Sequence, residues 1–151
     1  MTQIRPSLHA EPDTLAVDRA RLELRAGRPV RVCGATETRV AITIDTLRPS
    51  VLEALASTPG ADLRVATTRE RAAALGLAPD ADIGVHVPSD VAFADLRAFA
   101  GAESAAAVLV GGVAPERATD VECAALDLAK HALLLPAVLT VRDDPVLHAH
   151  L

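Results

Sequence analysis

Half of this 151-residue chain is hydrophobic, yet only Phe93 and Phe99 are aromatic, and it has neither Trp nor Tyr. That imbalance is the strongest constraint on its fold. Ala, Leu and Val must fill the interior, each side chain buries little area, and the elements must approach one another closely. The length fits one domain, with enough apolar residues to bury a full core.

Periodicity places the elements. Residues 1–12 read as a loose tail, with Pro6 and Pro12 and no repeat. Asp13 or Thr14 is expected to cap a helix running to about Ala26, with Ala16, Val17, Ala20 and Leu24 on one face and Gly27 as its stop. Strands are expected over 29–33 and 39–44, the second rich in β-branched residues. A helix follows Arg48-Pro49-Ser50. Then come a strand over 62–67, a helix over 69–75 capped by Thr67 or Thr68, an apolar run over 83–87 and a helix over 92–100. A buried strand over 105–110 ends at Gly111-Gly112. The longest helix is expected from about Pro115 to Leu133. Val121, Ala124, Ala125, Leu128 and Ala132 form one apolar stripe, and Leu126, Ala129 and Leu133 form another. A helix apolar on two sides is buried on two sides, by a sheet and by another helix or subunit. A last strand covers 137–141, and 143–151 reads as a polar tail. The expected fold is an α/β or α+β sandwich, a mixed sheet with helices packed on it, in one domain over 13–142.

Charge excludes some functions. The net charge is −5, and the only cationic cluster, Arg19, Arg21, Arg25, Arg28 and Arg31, is interrupted by Asp18 and Glu23. Nucleic-acid binding needs denser cations, so none is expected. No stretch approaches a membrane span, and the first residues lack the apolar core of a signal peptide. Two cysteines, Cys33 and Cys123, make neither a disulfide framework nor a zinc knuckle. The expected compartment is the cytoplasm, with reduced thiols.

Self-sufficient catalytic constellations are missing. Gly111-Gly112 lacks a Walker lysine and a third Rossmann glycine. His148 and His150, with Asp143 and Asp144, lie in the terminal tail. His131 one turn after Asp127 is either a base with its orienter or an i,i+4 surface contact. His86 stands alone in an apolar strand and reads as a satisfied core or edge histidine. Cys123 lies between carboxylates that oppose its ionisation. Ser89-Asp90 and Ser104 have no histidine at nucleophile-elbow spacing.

Two ordered sets of residues do resemble a known family. The first is Val17-Asp18-Arg19-Ala20, Gly27-Arg28-Pro29-Val30, Leu47-Arg48-Pro49, Thr67-Thr68-Arg69-Glu70-Arg71-Ala72 and Leu75-Gly76-Leu77. The second is Ala124-Ala125-Leu126-Asp127-Leu128-Ala129-Lys130 followed by Leu134-Leu135-Pro136-Ala137. Together they resemble dihydroxybutanone-phosphate synthase of riboflavin biosynthesis over most of 14–142. The resemblance is closer still to the degenerate synthase-like domain that precedes GTP cyclohydrolase II in some bacterial proteins.

The resemblance implies an α/β sandwich, a homodimer with sites between subunits, ribulose 5-phosphate as substrate, and magnesium or manganese. It also shows what is missing. The family's acidic loop after the first strand is shortened to Cys33-Gly34-Ala35-Thr36-Glu37-Thr38-Arg39, with Glu37 alone retained. Val121 or Asp120 falls where a metal-binding histidine is expected, and Arg142 falls at the metal-binding glutamate. Valine offers magnesium no oxygen, and arginine repels it. The three cysteines of a cyclohydrolase zinc site are not available. The expectation is therefore a non-catalytic domain without catalytic residues, metal or cofactor, assembling with itself or a partner through the long helix. The alternative is a divergent enzyme or binder of a phosphorylated sugar or flavin precursor, with Arg28, Glu37, Arg39, Thr67, Thr68, Arg69 and Asp120 as candidate contacts.

Overall fold

In a computed structural model, residues 3–4, 12–101 and 113–143 are described. In chain order the elements are β1 (Gln3–Ile4), α1 (Pro12–Arg25), β2 (Val30–Cys33), β3 (Thr38–Thr43), α2 (Pro49–Ala56), β4 (Arg64–Thr67), α3 (Arg69–Ala74), β5 (Ile83–His86), α4 (Phe93–Ala100), β6 (Glu116–Arg117), α5 (Asp120–His131) and β7 (Ala137–Arg142). The strands form one seven-stranded sheet ordered β1-β2-β3-β7-β4-β5-β6. β1 runs parallel to β2, and every other neighbouring pair is antiparallel. The expected mixed sheet is present, and its parallel pair is made by β1, in the stretch read from sequence as a tail. The last strand, β7, lies in the middle, so the sheet is completed by the far end of the chain.

Helices cover both faces, which adds a third layer to the expected helix–sheet pair. Alternation along each strand sends side chains to opposite faces. Val30, Val32, Ala41, Ala66 and Val138 share one core with Ala20 and Leu24 of α1 and with Val121, Ala125, Leu126, Leu128 and Ala129 of α5. The other face supplies Ile42, Val65, Leu139 and Val141. These pack with Leu52 and Leu55 of α2 and with Leu96 and Phe99 of α4. Ala72 of α3 meets Ile83 and Val85 in a smaller cluster.

Several boundaries differ from the sequence reading. Gln3 and Ile4, in the stretch read as a tail, pair in register with Arg31 and Val32. α1 begins at Pro12, upstream of the expected caps, which suits a residue with fixed φ and no N–H in a first turn. The long helix begins at Asp120 rather than Pro115, because Glu116 and Arg117 pair with β5 and Thr119 makes a capping box with Glu122. The strand expected over 105–110, Ser104, Gly111-Gly112, Asp144, His148 and His150 lie outside the described residues.

Most of both apolar stripes of α5 is covered within the chain, while Ala124 of the first and Leu133 of the second are exposed. The sheet and α1 share one core with the helix, which holds Val121, Ala125 and Leu128 of the first stripe and Leu126 and Ala129 of the second. Outward the helix shows Asp120, Ala124, Asp127, Lys130 and His131, so its pattern calls for no second subunit. Leu133, counted in the second stripe, instead follows the helix with φ 58° and is 85% exposed. It fills the left-handed position of a Schellman turn: Leu134 N–H donates to the Ala129 carbonyl, and Leu133 N–H to that of Lys130. Glycine takes this conformation without the Cβ penalty. Leu133→Gly is expected to raise stability by about 1 kcal/mol, measured by chemical denaturation; a loss of stability contradicts this reading of the turn.

Candidate functional site

A charged row crosses the α5 face of the sheet near the end where β2 stops. Cross-strand register places Arg64 beside His86 on one side and Thr140 on the other. Arg39 lies opposite Arg142. Like charges facing each other across strands repel, so this row needs acids, and the surrounding loops and α5 supply them. Arg39 Nη1 donates to Asp62 Oδ2 at 3.0 Å, its Nη2 donates to the Asp62 carbonyl, and its Nε reaches Thr140 Oγ1 at 3.0 Å. Glu37 and Arg142 complete the group, with Arg39–Glu37 and Arg142–Asp62 both at 3.6 Å.

Arg64 is the centre of the second half. Its Nε donates to Glu122 Oε1 at 2.6 Å and its Nη2 to Glu122 Oε2 at 3.3 Å. Its Nη1 meets Glu116 Oε2 at 2.8 Å and His86 Nε2 at 2.9 Å. Arginine has only donors to offer, so His86 Nε2 is the acceptor, and His86 Nδ1 lies 3.0 Å from Asp62 Oδ1, within ion-pair distance. The Arg39 and Arg64 halves are therefore joined through Asp62 and His86.

Local sequence builds this arrangement. Glu122 is wholly buried, and Thr119 N–H donates to its Oε2 while Thr119 Oγ1 receives Glu122 N–H. The same carboxylate thus closes the start of α5 and receives Arg64. Gly84 makes room for the pair. A Cβ there would lie 2.4 Å from Arg64 Nη2 and 2.6 Å from Glu122 Oε2. Gly34, just after β2, accommodates Val121, whose Cγ2 would lie 2.6 Å from an added Cβ.

The electrostatics follow from these pairs. Burial pushes the Asp62 carboxyl up, but the hydrogen bond and charge of Arg39, with help from His86 and Arg142, hold it below the usual carboxylate range. The hydrogen bond from Arg64 holds Glu116 low. Burial disfavours charge on Arg64, yet Glu122 and Glu116 outweigh it and raise its pKa. Burial raises the Cys123 thiol, and Asp82, Asp127, Glu122 and Asp120 add to that.

The structure divides the residues singled out as candidate contacts. Glu37 and Arg39 join the charged row. Asp120 opens α5 nearby and is exposed. Arg28, Thr67, Thr68 and Arg69 belong to the opposite end of the sheet, where β2 begins and β4 ends, so the seven do not form one site. Arg28 pairs with Glu23. Thr67 Oγ1 donates to the Pro136 carbonyl at 3.0 Å, Thr68 caps α3, and Arg69 N–H donates to Asp82. His131 Nδ1 meets the Asp127 carbonyl at 2.8 Å while Lys130 takes the carboxylate, which is the surface-contact alternative.

Sequence reasoning missed Asp62, Arg64, Glu116 and Glu122 and left His86 without partners. The Thr119-x-x-Glu122 spacing is a capping-box signal that marks Glu122. Arg64 inside the apolar run Leu63–Ala66 is a charge that burial obliges to pair.

A divalent ion of the kind implied by the resemblance does not fit. Among the described residues no three His, Cys, Asp or Glu side chains are placed to hold a metal. Glu122, Glu116 and Asp62 already face guanidinium groups, and an incoming ion would have to displace Arg39 or Arg64, both buried. What the row does, as it stands, is neutralise buried charge and tie β3, β4, β5, β6 and α5 together.

The antiparallel-rich sheet with helices on it is an α+β fold of the dihydroxybutanone-phosphate synthase type. A solved structure that shares it is the two-domain 3,4-dihydroxy-2-butanone 4-phosphate synthase RibBX from A. baumannii, with a TM-score of 0.53 and 16% identity. The match covers 86% of this chain and 48% of that one, so the chain spans about half its length. At that identity the likeness is one of fold. No protein-family model matches the chain, and no curated protein does. Among the described residues, no helix is long and apolar enough to cross a membrane.

Proposed function

We propose that this chain is a non-catalytic dihydroxybutanone-phosphate-synthase-like domain. It would be of the degenerate kind that accompanies GTP cyclohydrolase II, acting in the cytoplasm as an assembly or regulatory module of riboflavin metabolism. One observation carries the proposal: arginines stand against the acids of the site. Arg39 and Arg64 are buried on Asp62, Glu116 and Glu122, and the sequence resemblance puts Arg142 where a metal-binding glutamate would stand. Enediol chemistry on a sugar phosphate needs a positioned base and stabilisation of developing negative charge. Here the acids are committed to ion pairs.

Ligands that bind only the native state raise its stability. Magnesium or manganese together with ribulose 5-phosphate is expected to leave the melting temperature unchanged. A saturable rise that requires both overturns the proposal.

A second reading, a divergent binder of a phosphorylated sugar or flavin precursor, is favoured by Arg142. Its side chain is 68% exposed and only 3.6 Å from Asp62. A rise with ribulose 5-phosphate alone, lost in Arg142→Ala, supports this reading over the first.

The assembly part of the proposal rests on the resemblance, because α5 finds its cover inside the chain. Light scattering is expected to give a dimer mass, and a monomer at micromolar concentration removes that part.

A further inference from the structure

We infer that α1 is the surface through which two copies of this chain pair, antiparallel, with the twofold axis passing beside Leu22. The inference rests on the assembly part of the proposed function and names the surface which that part leaves open. α1 turns Ala20 and Leu24 to the core, with Val17 packed beside them. On its opposite side it carries Leu15 and Leu22, 61% and 64% exposed. Seven residues apart, they stack on one ridge. Ala26 extends that ridge by another turn: it is exposed, and its N–H donates to the Leu22 carbonyl at 3.0 Å. Single exposed leucines are ordinary on a protein surface. A ridge of them turned away from its own core, with charges matched along it, is a helix face made for another helix.

Charge selects the partner. One flank of the ridge carries Asp18 and Arg25, and the other carries Arg19 and Glu23. Asp18 takes Arg21 and Glu23 takes Arg28. Among the described residues, Arg19 and Arg25 are left without an acid. In an antiparallel twofold pair, each flank meets the same flank of the second copy. With the axis beside Leu22, Asp18 lies as far before it as Arg25 lies after it, so Asp18 meets Arg25 of the second copy. On the other flank Arg19 meets Glu23 of the second copy. Along the ridge, Leu22 packs on Leu22 and Leu15 packs on Ala26. Both unpaired arginines thus gain a carboxylate. Every contact is made twice, which closes the assembly at two. An open groove beside Leu22, lined by Asp18, Arg21 and Arg25, leaves room for the side chains of the second helix.

Light scattering of the native full chain and of Leu22→Glu tests this. The native chain should have the mass of a dimer. Leu22→Glu brings two carboxylates together at the axis, so its dissociation constant should rise about a hundredfold or more, with helical circular dichroism unchanged because Leu22 lies outside the core. Arg25→Asp should also weaken the dimer, and Asp18→Arg/Arg25→Asp, which exchanges the charges of one flank, should restore it. A Leu22→Glu variant as dimeric as the native chain overturns the inference and leaves the assembly reading standing on another surface. A charge exchange that does not recover the dimer lost in Arg25→Asp also overturns it. A monomeric native chain removes the assembly reading itself, and this inference with it.

Discussion

Glu122→Ala is expected to cost about 3–5 kcal/mol of unfolding free energy, because removing one partner of a buried ion pair strands the other charge. Arg64 is 5% exposed and Glu122 is 0% exposed, so little water reaches the guanidinium when its partner is gone. Glu116, exposed and on a two-residue strand, offers a partial substitute at best. The substitution also opens the capping box at Thr119, a further loss of order 1 kcal/mol. At this chain length, a midpoint fall of roughly 10 °C should result. Replacing Arg64 and Glu122 together with methionine and leucine should cost far less, since no charge is then left buried. Urea denaturation of the native chain, the single variant and the double variant reads all of this. A loss below 1 kcal/mol in Glu122→Ala contradicts the burial on which the site depends.

Phe99→Ala should have a comparable effect, again about 3–5 kcal/mol, for a different reason. Phe99 is the largest fully buried side chain and sits among Ile42, Leu55, Leu96 and Leu139. A core of mostly Ala, Leu and Val has little spare volume to collapse into the void. Phe93 is only partly buried at the margin of the same cluster, so Phe93→Ala should cost about half as much or less. Equal losses at the two positions contradict this placement of the core.

Much of the fold is legible from local pattern. Ala20 and Leu24 face the core as their spacing requires, Thr68 caps α3, and Val121, Ala125 and Leu128 lie on the sheet. What local pattern misses is pairing between distant segments. The β-branched run 39–44 marks a strand but cannot say that β7 lies beside it. Nothing in that run therefore marks Arg39 as a buried partner of Asp62. Glu116 and Arg117 look like the first turn of a long helix until their ladder to β5 is seen. The two apolar stripes of α5 correctly require two covers. Period alone does not tell a helix of the same chain from a helix of another, and here α1 is the second cover.

The site divides in the same way. Glu37 and Arg39 were marked by their place after the first strand of the resemblance, and the structure seats both in the charged row. Asp62, Arg64, His86, Glu116 and Glu122 come from four separate parts of the sequence and converge only through sheet register and the approach of α5. Thr67, Thr68 and Arg69 form a motif in sequence, but its hydroxyls and N–H groups are used to end β4 and begin α3.

Manganese titration of the native chain, followed by the paramagnetic resonance of the free ion, tests the central claim most directly. With every inward acid of the row already held by an arginine, the free-ion signal should rise in step with added manganese, as in protein-free buffer. A stoichiometric deficit of free ion that Asp62→Asn or Glu116→Gln abolishes would contradict it.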